Sequence, residues 1–352
     1  MKSIKTTDSR RSTMFRILIC LMCFAVLSTY VAIHWPTHYP AKLQTFSLNK
    51  TSKLKETKNE SLILTENPQV KNMKKALEAA FDKHISLEVV LRMRSRLKKL
   101  GLSSNLTIYI PPHQLDDEKL RFYRYKRIKK RPVGQFIPQQ RTCAVIGNSG
   151  ILLGSKCGAE IDAHDFVLRS NMAPTKRYKD DVGNKTNLMT INSKASKIAL
   201  KCVKQHNKYP CPENHLNIFQ YLEGSIIWFS KFGSLAIHCY TDFVKYFRKT
   251  NLDLLIAYPY KPIRTQIQRF WKMRYSPSSG LFLYTVSVPI CDRISLYGFY
   301  PFSTAPDGRN IPYHYYENIS FESGHNMTHE FSKLLALRKQ RYFRMVTDKC
   351  NL

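Results

Sequence analysis

The sequence predicts an α/β domain over residues 136–352, with a mostly parallel central sheet flanked by helices. Short apolar runs of strand length alternate there with longer stretches of helical character. The runs are CAVIG, FVLRSN, SIIWFS, LDLLIAYP and RISLYGFYPF, and the clearest helical stretches are SGLFLYTVSVPIC and THEFSKLLALRKQ. Strands that alternate with helices are typical of a parallel sheet, because each crossover returns the chain in the same direction. The apolar content of 43% is enough for a packed core.

The first of these strands leads into a glycine-rich stretch, CAVIGNSGILLGSKCGAEID, at residues 143–162. We expect CAVIG to be a strand, NSG a tight turn and the remainder the beginning of a helix. Backbone N–H groups at such a turn and helix start favour an anion, for example a nucleotide phosphate. The stretch matches neither G-x-G-x-x-G nor G-x-x-x-x-G-K-[ST], so its spacing alone leaves the ligand open.

The beginning of the chain predicts a membrane anchor. Residues 17–33 form an apolar run without a charge, and five lysines and arginines precede it. A run of about 17 residues can span a thin bilayer of the secretory pathway, and the basic flank favours the cytosolic side. We therefore expect a single-pass type II protein with a cytosolic tail at 1–16 and a transmembrane signal anchor at 17–34. A cleaved signal peptide is the alternative.

Residues 35–135 are predicted to form a lumenal stem. The part up to about residue 65 is rich in Lys, Ser, Thr and Asn, a composition that cannot bury a core. Between 69 and 100, apolar residues recur at helical spacing, which predicts one or two amphipathic helices. Sequons agree with a lumenal address and begin at Asn49, Asn59, Asn105, Asn184, Asn318 and Asn326.

The net charge of +31 favours a polyanionic partner. A lumenal protein meets no genome, so we expect no nucleic acid and instead a membrane surface or acidic glycans. Of the nine cysteines, seven lie outside the apolar run and would meet an oxidising space. Because seven is an odd number, one thiol is expected to remain free or to pair between chains, which leaves a homodimer open.

Four segments resemble the ordered motifs of the animal sialyltransferases, glycosyltransferase family 29. CAVIGNSGILLGSKCGAEIDAHDFVLRSNMAPTKRYKDDVGNKTNLMTIN is similar to their large motif, and SPSSGLFLYTVSVPICDRISLYGFYPF to their small motif. YHYYE at 313–317 resembles the third motif, and HNMTHE at 325–330 has the H-x4-E pattern of the last. The segments GNSGILLGS and LYGFYPF are most similar in sequence to the α2,8-sialyltransferase branch.

The resemblance implies a variant GT-A, Rossmann-like fold and an inverting, metal-independent reaction at the Golgi membrane. The donor would be CMP-sialic acid, and the acceptor a glycoprotein or ganglioside glycan that already ends in sialic acid, with an α2,8 linkage as the product. The resemblance also implies the disulfides Cys143–Cys291 and Cys157–Cys350. One alternative is an α2,3- or α2,6-sialyltransferase that acts on asialo acceptors, and another is an inactive sialoglycan-binding Golgi subunit.

The resemblance gives chemical roles to two histidines. His325 is expected to accept the proton of the acceptor hydroxyl, a task that suits an imidazole near neutral pH. His314 is expected to bind the CMP phosphate and help it to leave. The other expected donor-binding residues are Asn148, Asn171, Ser278, Ser279, Gly280, Tyr300 and Tyr313. Tyr300 stands where the family usually has Trp, and Ser170 where many relatives have Cys, with little expected effect from Ser170.

No metal or other cofactor is expected, and no D-x-D motif occurs in the chain. His325, His329 and Glu330 could suggest zinc, but H-E-x-x-H is absent from the sequence and no third ligand is evident. We expect Glu330 instead to orient a backbone or to pack near a helix start. The sequon at Asn326 adjoins the expected base, and we expect it to be unoccupied because a glycan there would obstruct acceptors.

Overall fold

The computed structural model describes residues 68–110, 137–204, 218–230, 234–317, 319 and 325–351. The predicted cytosolic tail, the anchor at 17–34 and the first part of the stem lie outside the described residues. The sequons at Asn49, Asn59 and Asn318 also lie outside them. Within the described ranges, no helix combines the length and the apolar character needed to cross a bilayer.

The described helices and strands follow the predicted alternation. The helices are α1 (Pro68–His84), α2 (Leu87–Lys99), α3 (Ser104–Thr107), α4 (Gly158–Asp162), α5 (Lys179–Val182), α6 (Ser193–Lys204), α7 (Ser234–Lys249), α8 (Arg264–Trp271), α9 (Ser279–Ser287) and α10 (Met327–Lys339). The strands are β1 (Gln140–Ile146), β2 (Phe166–Arg169), β3 (Leu188–Thr190), β4 (Ile226–Trp228), β5 (Leu255–Ala257), β6 (Cys291–Tyr297) and β7 (Arg344–Val346). Every apolar run predicted as a strand forms one, and the two quoted helical stretches form α9 and α10.

These strands form one parallel sheet in the order β5-β4-β3-β2-β1-β6-β7. This confirms the predicted α/β class, since helices such as α2 and α9 pack on the sheet. The chain adds β1 to β5 in one direction and then returns to the other side of β1 for β6 and β7. The strand order therefore reverses between β1 and β6. In doubly wound sheets, ligands bind at the carboxyl ends of the strands at such a point.

The segment 68–110, which the sequence places in the stem, packs against the sheet. Phe81 of α1 and Leu97 of α2 are fully buried in the same apolar core as the strands. The Arg94 guanidinium of α2 donates to the carbonyl oxygen of Cys291 at 2.7 Å, where β6 begins. The apolar faces of the predicted amphipathic helices are thus covered by the α/β domain itself.

The glycine-rich stretch differs from its expectation after the strand. The expected helix start is a three-residue 3-10 turn, Gly150–Leu152, and α4 begins only at Gly158. A Cβ on Gly147 would lie 2.3 Å from the carbonyl oxygen of Gly298, so a side chain there would separate the loops that follow β1 and β6. The amides of Gly147, Ser149 and Gly150 donate to the carbonyl oxygens of Tyr297, Gly298 and Pro312. Three amides of this turn are therefore occupied within the protein, and the glycines allow the loops to approach each other closely.

Both disulfides implied by the resemblance are present, Cys143–Cys291 and Cys157–Cys350. The first joins β1 to β6, the two strands at the reversal point. The second ties the end of the chain to the residue before α4. Their sequence separations are 148 and 193 residues. The chain-entropy estimate for loops of this length is about 5 kcal/mol each. Cys202 is also disulfide-bonded and buried.

Candidate active site

Loops from four strand ends meet above the reversal point. Asn148 follows β1, Asn171 follows β2, Asn192 follows β3, and Tyr300 follows β6. Because the strands are parallel, their carboxyl ends lie along one edge of the sheet. These loops enclose, together with the first residues of α9 and α10, a cavity of about 380 Å³. A cavity of this size holds a small organic ligand.

The cavity is lined by the residues for which the resemblance implies donor binding or a catalytic role. Its lining includes Asn148, Asn171, Ser278, Ser279, Gly280, Tyr300, Tyr313, His314 and His325. Phe331 and Leu334 of α10 add apolar surface. The polar groups therefore converge from separate segments on one partly apolar pocket, as in a ligand site.

The N-terminus of α9 opens into this cavity and is fixed by a buried carboxylate. The Ser278 hydroxyl caps the helix by accepting from the Leu281 amide at 3.1 Å. Glu330 of α10, only 3% exposed, accepts from the Ser278 amide at 2.9 Å and from the Ser278 hydroxyl at 2.5 Å. Glu330 thus orients a backbone at a helix start, as expected. The first amides of α9 have no acceptor within the helix and can receive an anion.

Burial shifts the pKa of the Glu330 carboxyl. Desolvation raises the pKa of Glu330, and the two hydrogen bonds from Ser278 oppose that rise. The nearby His325 also lowers the pKa, by a smaller electrostatic effect. Ser278 is therefore coupled to the protonation of Glu330, because its amide and its hydroxyl both donate to that carboxylate.

The His325 ring is oriented by a backbone hydrogen bond. Its Nδ1 lies 2.8 Å from the carbonyl oxygen of Ser276. A carbonyl oxygen only accepts, so Nδ1 carries a proton and Nε2 is the ring nitrogen left for a ligand. The ring itself lines the cavity. Asn326, the following residue, caps α10 by accepting from the His329 amide at 3.1 Å.

His314 is held by a carboxylate and an aromatic ring. Its Nδ1 pairs with the Glu317 carboxylate three residues later. The ring stacks on Tyr316 with a centroid separation of 5.3 Å and an interplanar angle of 17°. Because a carboxylate accepts the Nδ1 proton, Nε2 is the nitrogen left for a ligand. Glu317 lies in the motif YHYYE, yet sequence reasoning gave it no role.

Two buried polar atoms at the cavity lack partners in the described part of the chain. Asn148 donates to the Ser170 carbonyl oxygen and to the Tyr316 hydroxyl, both at 3.3 Å, but its Oδ1 accepts nothing. The Ser170 hydroxyl is equally unpaired, and Ser170 is 3% exposed. Buried polar atoms are nearly always hydrogen-bonded, so a ligand in the cavity that bonds to these two atoms would be favoured.

The remaining expected donor residues frame the pocket. Asn171 adopts a left-handed backbone, with φ of 55°, directly after β2, and its amide donates to the Thr190 hydroxyl at 2.8 Å. Tyr300 packs edge-on against Phe331, with 5.8 Å between ring centroids. Burial raises the pKa of Tyr313, so its hydroxyl stays protonated as a donor.

The fold and the site together define a class of protein. The chain is a doubly wound α/β protein with a partly apolar cavity at its reversal point, and two imidazoles line that cavity. The family model for "Glycosyltransferase family 29 (sialyltransferase)" matches residues 124–342. Since this is more than half of the chain, the protein belongs to glycosyltransferase family 29, the sialyltransferases.

The chain is also similar to individual proteins. An "alpha-N-acetylneuraminide alpha-2,8-sialyltransferase" of Xenopus laevis is 34% identical over 229 residues, which is 61% of this chain and 60% of the relative. The chain thus spans three fifths of that relative's length. Two crystal structures of a mammalian sialyltransferase, one with Gal-beta-1-3GalNAc-ortho-nitrophenol, are 19% and 20% identical. Their TM-scores are 0.40 and 0.37, with 81% of this chain and 87% and 88% of those chains covered.

Proposed function

We propose that this protein transfers sialic acid from CMP-sialic acid to the terminal sialic acid of a glycoprotein or glycolipid glycan, forming an α2,8 linkage. Membership of the sialyltransferase family supports the reaction, and the printed activity of the Xenopus relative supports the linkage. The observation that carries the proposal is the His325 ring, which lines the cavity with its Nδ1 proton already donated.

The proposed chemistry is one displacement. His325 Nε2 takes the proton of the acceptor hydroxyl as that oxygen bonds to the anomeric carbon of the donor. The bond from this carbon to the phosphate oxygen breaks, and CMP leaves with the electron pair. Attack opposite the departing phosphate inverts the anomeric centre. A positioned base of this kind contributes about 10²–10⁴-fold to the rate.

The negative charge on the departing phosphate needs to be stabilised, and His314 and the start of α9 would provide this. The Nε2 of His314 is the free ring nitrogen, because Nδ1 pairs with Glu317. The first amides of α9, at Ser279 and Gly280, line the same cavity. Oriented N–H groups and an imidazole can stabilise a single phosphate, so the proposed reaction uses no metal ion.

The location is part of the proposal. The apolar run at 17–34 would hold the protein in the Golgi membrane as a single-pass type II protein, with the described domain in the lumen. The odd number of cysteines outside this run leaves one thiol either free or paired between two chains, and the second case would give a disulfide-linked homodimer. Protease protection of sealed vesicles tests the orientation, and electrophoresis without reductant tests the dimer.

The activity is tested with the full chain in detergent, labelled CMP-sialic acid and excess EDTA. Matched acceptors with and without terminal sialic acid are compared, and the product linkage is determined by methylation analysis. Label on the sialylated acceptor alone, in an 8-linkage, is the expected result. Equal transfer to the asialo acceptor would overturn the α2,8 assignment. Binding of CMP without any transfer would favour an inactive sialoglycan-binding subunit.

A further inference from the structure

We propose that Lys194, the first turn of α6 and the Ser170 hydroxyl form a binding site for the carboxylate of a sialic acid. This inference rests on the proposed function, since it names the part of the cavity that would hold a substrate carboxylate. The sequence motifs gave Lys194 no role, and they predicted little effect for Ser170.

One wall of the cavity is formed by the residues that follow β3. Asn192, Ser193 and Lys194 line the cavity here, and the Asn192 side chain accepts from the Ala195 amide at 2.8 Å. Asn192 therefore caps α6, a helix of twelve residues. The amides and the dipole at this helix start favour a negative charge in the cavity.

Ser170 supplies an observation that is independent of the helix. Its hydroxyl is buried, has no partner in the described part of the chain, and belongs to a residue that lines the cavity. A hydroxyl left unsatisfied in a folded protein is destabilising, so a ligand oxygen that accepts its proton would remove that penalty. A carboxylate is such an acceptor.

Lys194 supplies the positive charge of the proposed site. Among the described residues that line the cavity, it is the only lysine or arginine. Lys194 is exposed where it lines the cavity, and its ammonium has no carboxylate partner in the described ranges. The proposed substrates carry one phosphate and two carboxylates. The phosphate has His314 and α9, which leaves Lys194 as the cation for a carboxylate.

The carboxylate can come from the donor or from the acceptor, because both substrates carry a sialic acid. The two sources present the same chemistry to Lys194. They differ in what a substitution would weaken: affinity for CMP-sialic acid in one case, and the KM of the sialylated acceptor in the other. CMP itself lacks a carboxylate and serves as the reference ligand.

The test uses the full chain in detergent with Lys194→Gln, Lys194→Arg and Ser170→Ala. Lys197→Gln is the matched control, since Lys197 is an exposed lysine of α6 outside the cavity lining. Calorimetry measures CMP and CMP-sialic acid binding, and initial rates give the KM of the sialylated acceptor. Losing a charge-assisted hydrogen bond is expected to weaken one of the two sialic acid substrates about tenfold.

The expected pattern is specific. Lys194→Gln weakens CMP-sialic acid or the sialylated acceptor while CMP binding stays the same, Lys194→Arg restores most of the loss, and Ser170→Ala weakens the same substrate less. Unchanged values for both substrates would overturn the inference, as would an equal loss with Lys197→Gln or for CMP. If the unsubstituted protein binds no CMP and transfers no sialic acid, the proposed function fails, and this outcome is distinct from a failure of Lys194 alone.

Discussion

Two regions of this protein each contain a buried glutamate and a histidine, and they use them differently. The core pair is Glu160 in α4 and His164 just after it, and both residues are buried. The cavity pair is Glu330 and His325, at the start of α10. In both pairs the histidine Nδ1 bonds a backbone carbonyl oxygen, that of Glu160 at 2.9 Å and that of Ser276 at 2.8 Å.

The partners of the two glutamates differ in charge. Glu160 pairs with the Arg344 guanidinium and accepts from the Tyr297 hydroxyl at 2.5 Å, which joins α4 to β6 and β7. Glu330 accepts only neutral donors, the amide and hydroxyl of Ser278. A charge partner stabilises the buried carboxylate of the core pair, whereas the cavity pair uses its carboxylate to position a helix end.

The two histidines differ in access. His164 is fully buried between Phe81 and Tyr297, and its Nε2 has no partner in the described residues. Burial lowers its pKa to about 4, so the ring is neutral near pH 7. His325 lines the cavity instead. Similar hydrogen bonds thus fix one ring within the packed core and the other at an open cavity. Changes in the core pair should therefore affect unfolding, and changes in the cavity pair should affect turnover.

The largest effect is expected at the cavity histidine. His325→Gln removes the base, so kcat should fall about a thousandfold, equivalent to about 4 kcal/mol of activation free energy. The free energy of unfolding should change by less than about 0.5 kcal/mol, because the ring is only partly buried. Steady-state rates and urea denaturation measure the two quantities. Turnover that survives in a folded variant would contradict the assignment of the base.

The core glutamate should show the opposite pattern. Glu160→Gln leaves the Arg344 guanidinium buried without its carboxylate and should lower the free energy of unfolding by about 3 kcal/mol. The specific activity of the folded protein should be unchanged. Glu88→Gln is the matched control, since Glu88 pairs with Arg92 at the surface with 80% of its side chain exposed. Its loss should stay below about 0.5 kcal/mol. Equal losses in the two variants would refute the role of burial.

The core histidine should make the free energy of unfolding depend on pH. The pKa of His164 is lowered from 6.5 to about 4 in the folded state, so the unfolded chain binds the proton more readily between these values. The free energy of unfolding is therefore unaffected by this group above about pH 7. It falls as the pH drops, and at pH 5 it is lower by about 2 kcal/mol. His164→Phe should flatten this part of the curve, measured by denaturation at pH 7.5 and 5. An identical slope would show that His164 does not carry the effect.

The smallest effect is expected at the cavity glutamate. Glu330→Gln keeps an acceptor for Ser278 but cannot accept from both its amide and its hydroxyl as a carboxylate does, so the start of α9 should shift. We expect kcat to fall about tenfold, or about 1.4 kcal/mol, with little change in stability. Ser278→Ala combined with Glu330→Gln should be strongly non-additive in kcat if the two act as a unit. Additive losses would mean that Glu330 acts through another residue.

Much of this arrangement could be predicted from the residues. Five apolar runs predicted five strands, and the motif resemblance predicted both disulfides and nine of the residues that line the cavity. Two strands, β3 and β7, were missed, because each contains only two consecutive apolar residues, whereas the equally short β4 and β5 lie within longer apolar runs. Their pairing is decided by the neighbouring strands β2, β4 and β6. The helix expected after the glycine turn was wrong for a related reason, since Gly150 is held against Pro312 from a distant part of the chain.

The sequence by itself determined the α/β class, the motif residues and the cysteine pairs, because these depend on local pattern or on family resemblance. Only the tertiary structure showed that the segment 68–110 covers the sheet, that Glu317 holds His314, and that Ser170 and Lys194 line the same cavity. Such facts depend on which distant surfaces meet when the sheet forms. Burial and orientation are properties of those surfaces, and no local run of residues encodes them.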